Sequence, residues 1–342
     1  MRIVEQALKG DRRAIARLIS LMESGGPEAR QALSRLYPHT GQADVIGVTG
    51  APGTGKSTLV NELAKAYRHQ GLTVGIVAVD PTSPFSGGAL LGDRIRMSEV
   101  ATDPGIFIRS MASRGNLGGL ARATADAVHV LDAAGYPMIL VETVGAGQSE
   151  VKIAGMAHTT IVVQMPASGD GVQAIKAGIL EIADIIVVNK ADLPGAEDAA
   201  QALEAMLDLG SVRAERLRDE LLGVGGSGAD ANDLPGPWRP PVLRTSAICG
   251  EGIGDLVTAI EEHGQYQRDS GLKAGRDRKR AMAELRHILQ STLLEHLLRQ
   301  IPEKGLEDTV ERIVVREMDP HSAAQKLIAE SGLTRDSLCS CC

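Results

Sequence analysis

The residues with the clearest chemistry are a run of small side chains ending in a lysine and a hydroxyl. Gly50-Ala51-Pro52-Gly53-Thr54-Gly55-Lys56-Ser57 fits G-x-x-x-x-G-K-[ST] at every defined position. It follows the apolar run VIGVT and opens the helical pattern STLVNELAKAYR. Glycines let a backbone wrap closely around phosphates. Main-chain amides over residues 50–58, Thr58 included, and the N-terminus of the following helix favour an anion. Lys56 would neutralise β- and γ-phosphate oxygens, and the Ser57 hydroxyl would ligate Mg2+.

Asn189-Lys190-Ala191-Asp192 directly follows the apolar run ADIIVV and matches N-K-x-D of GTP-binding proteins. A carboxylate at Asp192 accepts hydrogen bonds from guanine N1–H and its exocyclic amine. Adenine lacks that donor pair and would leave the carboxylate unpaired. Ser246, Ala247 and Ile248 follow Thr245 at the end of the last apolar run, where backbone amides would meet guanine O6. On the cation side, MILVE ends in Glu142-Thr143-Val144-Gly145. Glu142 takes the acidic place and Gly145 can offer its N–H to the γ-phosphate. Asp80 ends VAVD, and Asp93 lies in GGALLGDRIRM. Together with Ser57, the carboxylates of Asp80, Asp93 and Glu142 suit a divalent cation that prefers oxygen. For each carboxylate a plain role stays open: turn former, salt-bridge partner or solvated strand end.

These residues need a scaffold that presents loops at one edge of a sheet. Short apolar runs at Val45–Thr49, Thr73–Val79, Ile106–Ile108, Met138–Glu142, Thr160–Met165, Ile185–Asn189 and Val242–Thr245 alternate with helical stretches. Several are almost continuously apolar and β-branched, which marks strands buried on both faces of a parallel sheet. The expected fold is a doubly wound, mostly parallel α/β domain at 41–262. Residues 1–40 read as a helical extension, with helices through Ile15–Met22 and Glu28–Leu36. Residues 263–342 read as a helical arm, with helices over 276–300, 306–317 and 320–331. Its stripe of Leu285, Ile288, Leu289, Leu293 and Leu297 must be buried against the parent domain or a second copy of the chain. The Gly- and Pro-rich stretch 223–241 holds the only tryptophan, Trp238, either packing the loop down or anchoring a partner.

Composition narrows the function. The chain has 342 residues and a formal net charge of −7, which argues against coating nucleic acid. Aromatics make up 2%, too few for single-strand stacking platforms. No run of about 18 apolar residues occurs, so a membrane-crossing helix is not expected. The N-terminal stretch is charged throughout and lacks the apolar core of a secretory signal. Cys249, Cys339, Cys341 and Cys342 form no disulfide framework, consistent with a reducing cytoplasm. The last three could hold a soft metal or could do nothing specific. The eight histidines show no metal spacing, and His158, just before a strand, reads as structural.

Taken together, VTGAPGTGKST, VAVDPTSPFSGGALLGDRIRM, ILVETVGAGQSE, MPASGDGVQAIKAGILEIADIIVVNKAD and TSAICGEGI resemble the MeaB/ArgK family of P-loop GTPases over nearly the whole chain. The resemblance implies a GTP-hydrolysing chaperone of an adenosylcobalamin-dependent acyl-CoA mutase, above all methylmalonyl-CoA mutase. It implies gating of cofactor loading and protection or reactivation of the mutase. GTP or GDP with Mg2+ would be the ligands, adenosylcobalamin being held by the partner only. It also implies a homodimer through the helical arm, nucleotide sensing at 143–150, and a further switch at Met165–Lys176. Water would attack the γ-phosphate in line, with Lys56 and the backbone amides spreading charge. Gln148 and Asp93 are both candidates to orient that water, and Arg94, Arg96, Arg109 and Arg114 are candidates for an arginine finger. Two other classes remain: a GTP-dependent metallochaperone using the terminal cysteines, and a kinase passing the γ-phosphate to a small molecule. Companions of isobutyryl-CoA or 2-hydroxyisobutyryl-CoA mutase are variants of the first reading.

Overall fold

The computed structural model describes residues 2–80, 100–112, 117–143, 155–166, 182–208 and 238–331. Seven strands form one parallel sheet: β1 (Asp44–Thr49), β2 (Val74–Asp80), β3 (Ile106–Ala112), β4 (Met138–Thr143), β5 (Thr159–Gln164), β6 (Ile185–Asn189) and β7 (Val242–Thr245). Their order is β3-β2-β4-β1-β5-β6-β7. The expected α/β class holds. Strand alternation explains it: Val45, Ile139, Val141 and Val77 face one core, while Ile46, Leu140, Ile76 and Ile161 face another. Successive side chains on a strand point to opposite faces, so a strand apolar at every position needs helices on both sides.

Helices α1 (Arg2–Leu8), α2 (Arg12–Ser24) and α3 (Pro27–Leu36) share the first core with α5 (Leu117–Ala133). The carboxylate of Asp11 accepts from the Ala14 N–H at 2.8 Å and caps α2. Between α3 and β1, Asp132 on α5 gathers three backbone amides, of Gly41, Gln42 and Ala43, at 2.6, 3.1 and 3.0 Å. Helices α4 (Lys56–His69) and α7 (Ile253–Asp269) cover the second face. The stretch 196–208 is helical (α6) and packs on Ile186 and Val188.

β3 runs to Ala112, beyond the Ile106–Ile108 expected from apolarity. Its continuation, Arg109-Ser110, is polar because β3 is an edge strand. There Arg109 reaches Ser20 Oγ at 3.0 Å and pairs with Glu23, both on α2. That arginine therefore has a structural partner in α2.

Two compact units divide at Arg280 and Ala281, inside α8 (Leu272–Gln300). The second unit contains the rest of α8, α9 (Glu303–Val314) and α10 (Pro320–Glu330). Leu285, Ile288, Leu289 and Leu293 are exposed on it in the single chain. In the first unit, Trp238 packs down as one of the two sequence readings held. Its Nε1 donates to the Asp184 carbonyl at 2.7 Å, and its ring lies 4.8 Å from His263. No helix among the described residues is long and apolar enough to cross a membrane.

Candidate nucleotide site

The loop 50–55 leaves the C-terminal end of β1 and runs into the N-terminus of α4, with β4 and β5 on either side of β1. In open α/β sheets, ligands collect at this edge. Gly50 sits at φ 145, and a Cβ there would lie 2.1 Å from the Val163 carbonyl oxygen. Only glycine lets the loop pass this close to β5. Gly55, at φ 89, holds the left-handed turn before α4, and a Cβ would lie 2.4 Å from Asn189 Nδ2. Lys56 is buried, and its ammonium donates to the carbonyls of Gly50 and Ala51, both at 2.9 Å. Thr54 Oγ1 donates to the Ala51 carbonyl at 2.9 Å. Lysine and loop thus form one preorganised unit.

Ser57 Oγ donates to Glu142 Oε1 at 2.6 Å. The hydroxyl from α4 and the carboxylate at the end of β4 are side by side, as spacing alone could not show. Both are hard oxygen donors at a helix N-terminus, a set suited to Mg2+. Asp80 ends β2, the neighbour of β4. Asp93, Gly145 and Gln148 lie outside the described residues, as do Arg94, Arg96 and Arg114. The segment 143–150 is described only at Thr143, and Met165–Lys176 only at its first two residues.

At the base side, Asn189 is 2% exposed and ties three segments together. Its Nδ2 donates to the Thr54 carbonyl at 2.8 Å. Its Oδ1 accepts from Thr245 Oγ1 and the Ala247 N–H, both at 3.1 Å. Lys190 adopts φ 61, turning the chain sharply at the end of β6. Ser246 Oγ donates to Asp192 Oδ1 at 2.6 Å, orienting that exposed carboxylate. The Ser246 N–H bonds the Glu251 carbonyl at 3.1 Å. The amides of Ser246 and Ala247, expected at the base, are thus engaged within the protein. Ile248 is 81% exposed beside them, and Cys249 is exposed next in sequence. Pro52, Gly53 and Thr58 stay with the loop and first turn. The bracing role of Asn189 has no local signal, because its partners lie 135, 56 and 58 residues away. The terminal Cys339, Cys341 and Cys342 lie outside the described residues, and no group of three or more His, Cys, Asp or Glu side chains placed to hold a metal by themselves occurs among the described ones.

At the opposite edge of the sheet a cavity of about 180 Å³ is lined by Tyr67, His158, Lys273 and neighbours. His158 Nδ1 accepts from the Val45 N–H at 3.0 Å, fixing the start of β5 to β1. Burial, then the cations of Arg280 and Lys273, hold its pKa below the ordinary value, against the pull of Asp277 and Asp44. Asp184 accepts two hydrogen bonds from Arg276, at 3.1 and 2.8 Å, and lies 3.3 Å from His263 Nε2. Burial alone would raise the Asp184 carboxyl; the hydrogen bonds from His263 and Arg276 outweigh it and lower its pKa.

Comparison with known proteins bears on this arrangement. The family model described as methylmalonyl Co-A mutase-associated GTPase MeaB matches residues 15–301. A relative from Pyrococcus abyssi is 46% identical over 328 residues, covering 96% of this chain and 95% of the relative. GTPase ArgK of Escherichia coli is 34% identical over 298 residues, 86% of this chain and 85% of ArgK. The mouse mitochondrial methylmalonic aciduria type A homolog is 34% identical over 313 residues, 86% of this chain and 70% of that protein. A crystal structure of a LAO/AO transport system kinase superposes with a TM-score of 0.67 at 26% identity, covering 95% of both chains.

Proposed function

The chain belongs to the MeaB family of methylmalonyl-CoA mutase-associated GTPases, and we propose that it is the GTP-hydrolysing chaperone of an adenosylcobalamin-dependent acyl-CoA mutase. In this reading it acts in the cytoplasm, gates cofactor loading, and protects or reactivates the mutase. Adenosylcobalamin stays with the partner. Methylmalonyl-CoA is the substrate class the family description favours. Dimerisation through the apolar stripe of α8 completes the reading.

The single observation that carries the site is the Asn189 brace, which joins the phosphate loop to both base-side segments. A nucleotide bridging these loops would report its presence to the whole C-terminal edge of the sheet. Amides of residues 50–58 receive the phosphates, and Asp192 selects guanine. Ser57 and Glu142, with Asp80 and Asp93, would hold Mg2+; when bound, it neutralises charge across the β- and γ-phosphates. Lys56 exchanges its loop carbonyls for phosphate oxygens and stabilises the charge that spreads in the transition state. Water forms a bond to the γ-phosphorus as the bond to the β–γ bridging oxygen breaks. Asp93 or Gln148 orients that water.

The test is phosphate release from GTP, alone and with a purified adenosylcobalamin-dependent mutase, beside co-sedimentation of the two proteins with GDP or a non-hydrolysable GTP analogue. The expected result is slow release alone, faster release with the mutase, and a complex whose stability depends on the nucleotide. Unchanged turnover and no complex with methylmalonyl-CoA, isobutyryl-CoA or 2-hydroxyisobutyryl-CoA mutase would reject the chaperone role.

A further inference from the structure

Two buried hydroxyls connect the strands that carry the phosphate loop and the acidic strand end. Thr49 is the last residue of β1, one before Gly50; Thr143 is the last of β4, one after Glu142. The Thr143 hydroxyl donates to Thr49 Oγ1 at 3.0 Å. The two side chains are 1% and 0% exposed. β1 and β4 are parallel neighbours, with Val48 in register with Glu142.

Packing does not require this pair. Valine has nearly the shape of threonine without the cost of burying a hydroxyl, and valine is what the neighbouring positions Val48, Val141 and Val162 hold. What a hydroxyl pair adds is direction: it fixes the end of β4 against the root of the phosphate loop at one spacing. The next residue back, Glu142, makes the other link across this seam, to Ser57. That second link involves the groups proposed to meet Mg2+, so it must rearrange when the metal–nucleotide complex arrives. The Thr49–Thr143 bond involves no ligand-facing atom and can persist throughout.

We infer that the Thr49–Thr143 hydroxyl pair is a positioning element for GTP hydrolysis, holding the Glu142 carboxylate at metal-binding reach of Ser57. This rests on the nucleotide-site reading above. It acts on turnover and on the Mg2+ requirement, and not on the capture of the guanine base and diphosphate by the loop.

The experiment compares Thr143→Val, Thr143→Ser and the double variant Thr49→Val/Thr143→Val with the parent chain. Phosphate release is followed across a Mg2+ titration, and GDP affinity is measured by calorimetry in EDTA. For Thr143→Val, kcat should fall about fivefold, the fold-change one neutral hydrogen bond is worth, and half-maximal turnover should need severalfold more Mg2+. GDP affinity in EDTA should stay within about twofold, as expected when the bond contributes nothing there. Thr143→Ser should restore both values. The double variant leaves no orphaned hydroxyl, so it keeps the test valid if the single variant folds poorly; it should show the same loss of turnover. Parent-like turnover in either valine variant would overturn the inference. So would failure of serine to rescue, or an equal fall in kcat and EDTA GDP affinity. Absence of phosphate release by the parent chain itself would instead reject the nucleotide-site reading.

Discussion

Asp192→Asn examines the proposed choice of guanine in the most direct way. Ser246 Oγ donates to Asp192 Oδ1 at 2.6 Å, so an asparagine can keep that bond with its carbonyl oxygen. The side chain's other oxygen then becomes an NH2 group. Guanine presents two donors to this edge, so the variant loses one charge-assisted hydrogen bond and sets a donor against a donor. A charge-assisted bond is worth about 1.5–3 kcal/mol, and an unsatisfied group about 1–3 kcal/mol. The sum corresponds to roughly 10²- to 10³-fold weaker GDP binding, after a discount for an exposed carboxylate. Xanthine carries a carbonyl where guanine carries its amine. The new NH2 group can donate to it, whereas the native carboxylate repels it. Calorimetry with GDP and xanthosine diphosphate, in the presence of Mg2+, therefore gives a loss and a gain from one substitution. A variant that holds GDP within threefold of the parent, or that binds xanthosine diphosphate no better than the parent does, would refute the assignment of Asp192.

Three other outcomes follow from the geometry. Gly55→Ala places a methyl 2.4 Å from Asn189 Nδ2 at φ 89, so it should break the brace and abolish measurable GDP binding while circular dichroism stays native. Asp132→Ala removes the acceptor for three backbone amides; a loss of about 3 kcal/mol should lower the melting temperature by roughly 6–12 °C. His158 has a folded-state pKa below its ordinary 6.5, so the unfolded chain takes up its proton first. Stability is then full above pH 6.5 and falls as pH drops from 6.5 toward the folded value. Melting temperatures in this acid window should decline less steeply for His158→Gln than for the parent; parallel declines would remove His158 as the cause.

Much of the molecule can be read without coordinates, for a physical reason. The phosphate loop is eight consecutive residues whose shape is set by its own glycines and by the helix it opens. Strands buried on both faces announce themselves by unbroken apolar runs, and β6 matches its sequence limits residue for residue. Legibility falls where burial is partial. The polar pair Arg109-Ser110 interrupts the apolar run of β3, and its arginine is satisfied by α2, far away in sequence.

The basic run Lys273, Arg276, Arg278, Lys279 and Arg280 makes the same point in reverse. By composition it resembles a patch for an anionic partner. In the fold, Lys273 pairs with Asp44, Arg276 with Asp184, and Arg280 meets His158. Much of its charge serves to anchor the start of α8 to the base of the sheet.

What the chain determines by itself is therefore a phosphate loop, a guanine-type motif, an acidic strand end and a parallel α/β scaffold, because each is written in neighbouring residues whose geometry is local. Only the tertiary structure decides that Asn189 joins Thr54 to Thr245 and Ala247, that Ser57 touches Glu142, and that Thr49 meets Thr143. Those contacts depend on the strand order β4-β1-β5-β6-β7, and strand order arises from long-range packing that no short segment encodes.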